Sequence, residues 1–160
     1  MFYKLFCVLL TTFVVFVPAT FAGQSSDGIW EETDPRALSA RSAERTVVPD
    51  SFRTVRLDQE RLRSLLKTAP MEFTGAARAN EIVLTLPMPD GTFERFRIEK
   101  SPIVESGLSA KFPELSETYR GQGIDDPTAS LRFDFLPGGF HSMILSSRGT
   151  VMIEPYFAKG

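Results

Sequence analysis

The second half of this chain is a series of short alternating runs cut by turn residues, and that pattern leaves few ways to fold. Leu131, Phe133 and Phe135 alternate with Arg132, Asp134 and Leu136. Pro137-Gly138-Gly139 breaks the run, Phe140 to Leu145 resumes it, and Ser146-Ser147-Arg148-Gly149 breaks it again before Val151 and Ile153. Period-two alternation marks strands with one buried face, and turns this short join antiparallel neighbours. Upstream, Ile82, Leu84 and Leu86 share one face. Pro87-Met88-Pro89-Asp90-Gly91 turns the chain, and Thr92 to Glu99 returns with Phe93 and Phe96. Asp-Gly is the strongest turn signal in that stretch. Ser116 to Gln122 reads as a further strand.

Phe52 to Leu57 predicts an edge strand. Asp58 then caps a short helix carrying Leu62, Leu65 and Leu66 on one side and Arg61, Arg63 and Lys67 on the other. Pro70 forbids its continuation. Pro102 to Leu115 holds one helical turn around Leu108, Ala110 and Phe112. The expected class is α+β: an antiparallel meander of about five to seven strands with one short helix packed on a face. Leu62, Leu66, Ile82, Leu84, Leu131, Phe133 and Phe135 form its expected core.

The N-terminus sets the compartment. Lys4 precedes an apolar run from Leu5 to Val17, Pro18 ends it, and Thr20-Phe21-Ala22 offers small residues to a signal peptidase. The run is shorter than the roughly 20 residues that span a bilayer. Residues 1–22 therefore read as a cleaved signal, with the cut between Ala22 and Gly23, no stable membrane span afterwards, and a secreted or periplasmic product. Residues 23–45 read as a mobile polar leader from which Trp30 docks, and 46–160 as one domain. The single cysteine, Cys7, leaves with the signal, so the exported domain has no disulfide and depends on its core. Lys4 leaves too, which makes the rest slightly more acidic than the full chain's net charge of −2. That balance gives no pull towards nucleic acid or an anionic membrane.

A search for chemistry returns little. His141 is the only histidine, so no His-Glu-x-x-His and no multi-histidine metal site exists in the sequence. His141 in mid-strand reads as structural or solvent-facing; a hydrolase would have to use it with an acid such as Asp134. Asp125 and Asp126 are adjacent on a turn. Glycosidase-type chemistry needs carboxylates held roughly 5–10 Å apart across a cleft. Gly121-Gln122-Gly123 lacks the third glycine and the strand-to-helix setting of a phosphate loop. No catalytic residue, metal ligand or cofactor is expected.

Three strings carry a resemblance. They are Phe96-Arg97-Ile98-Glu99-Lys100-Ser101-Pro102-Ile103-Val104-Glu105 with Leu108 to Glu114, then Thr118 to Thr128, then Arg132-Phe133-Asp134 with Gly139-Phe140-His141 and Ile153-Glu154-Pro155-Tyr156. Together they resemble the N-terminal propeptide region of secreted bacterial reprolysin-like zinc metalloproteases, over roughly Leu57 to Gly160. The most specific part is Gly121-Gln122-Gly123-Ile124-Asp125-Asp126-Pro127. The resemblance implies a non-catalytic pro-region, a folding aid or inhibitory shield, whose partner is the protease catalytic domain. That domain is in cis if the chain is a truncated or fragmentary product, and otherwise in trans. The family's zinc histidines and glutamate base have no counterpart here, and a cysteine switch has no residue to use. Gly121 to Pro127 is the expected partner contact. The alternative is a stand-alone extracellular or periplasmic module that binds a peptide, glycan or surface partner. It is motivated by sheet edges and by the loops at 102–115 and 121–128.

Overall fold

A computed structural model describes residues 23–34, 36, 52–103, 107, 111–112 and 116–156. The elements in chain order are β1 (Trp30–Glu32), β2 (Val55–Leu57), α1 (Gln59–Leu66), α2 (Gly75–Ala79), β3 (Ile82–Pro87), β4 (Phe93–Lys100), β5 (Thr118–Gly123), β6 (Ser130–Leu136), β7 (Gly139–Ser146) and β8 (Gly149–Ile153). Strands β3 to β8 form one six-stranded sheet in sequence order, every neighbour antiparallel. The sheet curls into a half-barrel. β1 and β2 form a separate antiparallel pair with Trp30 facing Leu57.

Local chemistry explains the turns. Asp90 accepts hydrogen bonds from the N–H and hydroxyl of Thr92, and Gly91 sits at φ +92°. Gly139 and Gly149 open β7 and β8 at φ +136° and +123°, a region that side chains disfavour.

Register keeps the apolar residues on one face. Leu84 pairs with Phe96, Tyr119 with Phe133, and Leu131 with Ile144. All six are buried in a single core with Leu62 and Leu66 of α1. Phe133 stacks on Tyr119 with centroids 4.9 Å apart, and Phe140 lies 5.3 Å from Phe133 on its other flank. Trp30, only 3% exposed, meets Phe140 edge-on at 5.2 Å. The expected core is thus assembled, with Ile82 and Phe135 packed at its margin.

The fold class needs correction. The chain is largely β rather than α+β. α1 and α2 have 8 and 5 residues and form no layer. Asp58 caps α1 as expected, accepting from the N–H groups of Glu60 and Arg61 at 3.1 and 3.0 Å. The helix buries only Leu62 and Leu66. The curl of the sheet and the β1–β2 pair cover the rest of the core, so no helical layer is required.

Trp30 and β1 place residues 23–34, the first part of the expected leader, against the domain. Residues 37–51, most of Pro102 to Leu115, and the signal segment lie outside the described residues. The Phe52–Leu57 strand is real but short, beginning at Val55. α2 was not anticipated; Thr74 caps it through a bond from the Ala77 N–H at 3.2 Å.

Candidate functional site

The Gly121–Pro127 segment ends β5 and turns into β6. Gly121 faces Leu131 across β5–β6 and Ile98 across β4–β5. A Cβ there would stand 2.9 Å from the Leu131 side chain. Gly123 is buried, and a Cβ on it would collide with the Asp126 carbonyl oxygen. Its N–H donates to the Ala129 carbonyl at 2.9 Å, while the Ala129 N–H donates to that of Asp126 at 3.0 Å. The two glycines are therefore required by close packing of backbone and side chain.

The polar side chains of the segment are spent on holding this turn. Gln122 Nε2 donates to the carbonyls of Pro127 and Ala129 at 2.8 and 3.0 Å. Asp125 grips Arg95 of β4 at two points, accepting from its backbone N–H at 2.8 Å and from its guanidinium at 2.6 Å. The Ile124 N–H extends the β4–β5 ladder by donating to the Arg95 carbonyl at 2.8 Å. Asp126 accepts from the N–H and hydroxyl of Thr128 at 2.9 and 2.6 Å, and its second oxygen accepts from Arg148 at 3.0 Å. Arg148 reaches on to Glu94 at 2.6 Å, tying the β7–β8 turn to β4. Pro127 is exposed.

These contacts decide the chemistry of the two acids. The side-chain bond from Arg95, then its backbone bond, holds the Asp125 carboxyl below the usual range. The Thr128 side-chain and backbone bonds, with Arg148, do the same for Asp126. The two carboxylates face different cations, Arg95 for Asp125 and Arg148 for Asp126. They serve as clamps.

His141 lies on the outer face of β7, opposite Asp134 of β6. Its Nδ1 is 2.5 Å from Glu154 Oε2. Burial raises the Asp134 carboxyl above its ordinary range. The His141 charge opposes that rise and Glu154 adds to it. Asp134 Oδ1 has no hydrogen-bond partner among the described residues. The structure thus gives the histidine to Glu154 rather than to the acid the sequence suggested. Ala22 lies outside the described residues. Gly23 is the first of them, and its carbonyl accepts from the Glu32 N–H at 2.6 Å.

The sequence reading missed one surface. Met143, Leu145 and Met152 are 42%, 48% and 58% exposed, and all lie on the outer face of β7 and β8. Met143 pairs with Met152, and Leu145 with Thr150. The run Met143-Ile144-Leu145 breaks strict alternation, which is the signature of a strand apolar on both faces. No protein-family model, curated protein or solved structure matches this chain.

Proposed function

We propose that the chain is the secreted, non-catalytic pro-region of a reprolysin-like zinc metalloprotease, acting on the protease catalytic domain as a folding aid or inhibitory shield. One observation carries this reading. Residues that bear the resemblance lie on β4, β5, β6 and β7, which are consecutive neighbours in one sheet. The most specific string is the turn between β5 and β6, which Arg95–Asp125 ties to β4 and Arg148–Asp126 ties to the β7–β8 turn. Matches that fall together on one hydrogen-bonded unit support a shared fold better than scattered matches do. Shielding a catalytic domain requires an interface of about 1,200–2,000 Å² in total. The test is to purify the exported protein and titrate it against a reprolysin-like catalytic domain from the same genome. Saturable binding with slowed proteolysis, or faster recovery of activity on refolding, is expected. The absence of both binding and any effect on refolding would remove the proposal.

A stand-alone extracellular or periplasmic binding module is the second reading, favoured by the exposed Met143, Leu145 and Met152. It predicts capture of a peptide, glycan or surface partner that is lost when these three side chains are made polar.

A further inference from the structure

The two edges of the six-stranded sheet are treated differently. At the β3 edge, the Thr85 N–H donates to Asp27 Oδ2 at 2.9 Å, and Pro87 has no N–H to offer. A side chain and a proline thus blunt that edge, a common defence against strand addition. At the other edge, no strand flanks β8 among the described residues. β8 has the sequence Gly149-Thr150-Val151-Met152-Ile153, with no charge and no proline.

We infer that β8 is the joint of a homodimer, in which two copies pair their β8 strands antiparallel about Val151. This inference rests on neither functional reading above.

The backbone sets the register. Ser146 and Gly149 close a two-residue loop, Ser147-Arg148. The pair that closes such a hairpin exchanges both backbone bonds, and bonded pairs alternate from there. Gly149, Val151 and Ile153 therefore bond β7, and Thr150 and Met152 direct their N–H and C=O groups away from the sheet. Antiparallel pairing through those groups can set Thr150 opposite the partner's Met152, and Met152 opposite the partner's Thr150. Each of these pairs exchanges both bonds. Val151 then meets the partner's Val151 at the two-fold axis, so the interface is isologous.

Charge selects this arrangement over its neighbours. With Val151 at the centre, Arg148 stands opposite the partner's Glu154, and Glu154 opposite the partner's Arg148. A parallel pairing would set arginine against arginine. A slip of the centre by one residue either way breaks the Arg148–Glu154 match at both ends. Arg148 and Glu154 keep 51% and 41% of their side-chain surface exposed, Arg148 while holding Glu94 and Asp126 and Glu154 while beside His141, so the match at the joint is one of residue positions. Such rim charges act on register more than on affinity.

The apolar surface fits the same occupant. Met152, beside Met143, would abut the partner's Thr150, which lies beside the partner's Leu145. Two apolar stripes related by the two-fold axis would then cross the joint, and β8 would become an interior strand.

The test uses protein exported from the full-length gene. Sedimentation velocity over a concentration series should show a dimer. Thr150→Lys with Met152→Lys changes two exposed side chains and sets lysine against lysine twice. It should give a monomer whose circular dichroism is that of the folded sheet. The register is read by cysteine cross-linking. Val151→Cys puts two thiols at a non-hydrogen-bonded pair, where Cβ atoms approach closely enough for a disulfide. It should yield a covalent dimer on a non-reducing gel, whereas Thr150→Cys, offset across the axis, should not. A wild type that stays monomeric at every concentration overturns the inference. So does a dimer that survives the double lysine variant. Thr150→Cys cross-linking as fully as Val151→Cys, or no cross-link at Val151→Cys, overturns the register and with it the joint.

Discussion

Replacing Phe133 by alanine removes the ring that touches both Tyr119 and Phe140. Phe133 is 4% exposed, its ring is stacked 4.9 Å from Tyr119 with planes 12° apart, and Phe140 closes the other side at 5.3 Å. Its neighbours belong to paired strands, Tyr119 on β5 and Ser142 on β7, so the surrounding backbone cannot collapse into the space. Truncating a buried phenylalanine costs about 3–5 kcal/mol when the cavity stays open. That is a large share of the roughly 5–15 kcal/mol that holds a domain together. The melting temperature should fall by about 10–20 °C for a chain of this size. Part of the loss is the ring–ring term, about 0.5–1.5 kcal/mol, and a double-mutant cycle with Tyr119→Leu isolates it. Arg132→Ala, on the exposed face one residue away, is the comparison; it loses one hydrogen bond to Ser101 and should cost about 1 kcal/mol, well below the loss at Phe133. Thermal and urea melts of both variants provide the assay. If Phe133→Ala melts with the wild type while Arg132→Ala melts early, the faces of β6 are exchanged and the register is refuted.

Gly123→Ala should destabilise by about 1–3 kcal/mol, because the new methyl group must displace the Asp126 carbonyl; a melt equal to wild type would mean that the turn relaxes freely. Asp125→Asn should cost about 1 kcal/mol or less, since its ion pair with Arg95 is half-exposed. Because Arg95 depresses the folded pKa of Asp125, this stabilisation is full above the ordinary aspartate range and fades as pH falls through the folded value. The difference between wild type and Asp125→Asn should therefore shrink in acid urea melts, and a gap that widens there would reverse the sign. Asp125→Ala with Asp126→Ala should lower the melting temperature, because both acids hold the turn; if it melts normally yet loses the catalytic domain, the acids contact the partner instead.

Much of the sheet was legible because its signals are local. The Pro-Met-Pro-Asp-Gly turn, the alternation of Leu131, Phe133 and Phe135, and the glycines before Phe140 and after Arg148 each specify a hairpin without reference to distant residues. Asp58 likewise marked α1 by its own side chain. The failures are non-local. β1 has three residues and pairs with β2 across a long stretch of chain, so no window of sequence contains both partners. The fold class failed for a related reason. Periodicity finds α1, but whether a helix forms a layer depends on how far the sheet curls, and curl is a property of the whole sheet. At the motif, the turn glycines were readable, and the clamps were not. Asp125 finds Arg95, and Asp126 finds Arg148, only once β4 and the β7–β8 turn stand beside them.

That placement divides the molecule in two. Gly121 to Pro127 looks inward: its glycines pack against Leu131 and Asp126, and its acids hold Arg95 and Arg148. Residues so engaged leave little free polar surface for a partner. The exposed apolar surface lies on β7 and β8, where Met143, Leu145 and Met152 stand beside an edge that no strand flanks among the described residues. A pro-region and a homodimer therefore compete for one face if the catalytic domain also seeks an edge strand or an apolar patch. In that case the catalytic domain would split the dimer, and the Thr150→Lys, Met152→Lys variant would lose both associations together. If the catalytic domain binds elsewhere, the same variant would lose self-association alone. The two readings remain separable because Thr150, Val151 and Met152, the side chains that the test changes, take no part in the Gly121–Pro127 lock, although Arg148 serves both.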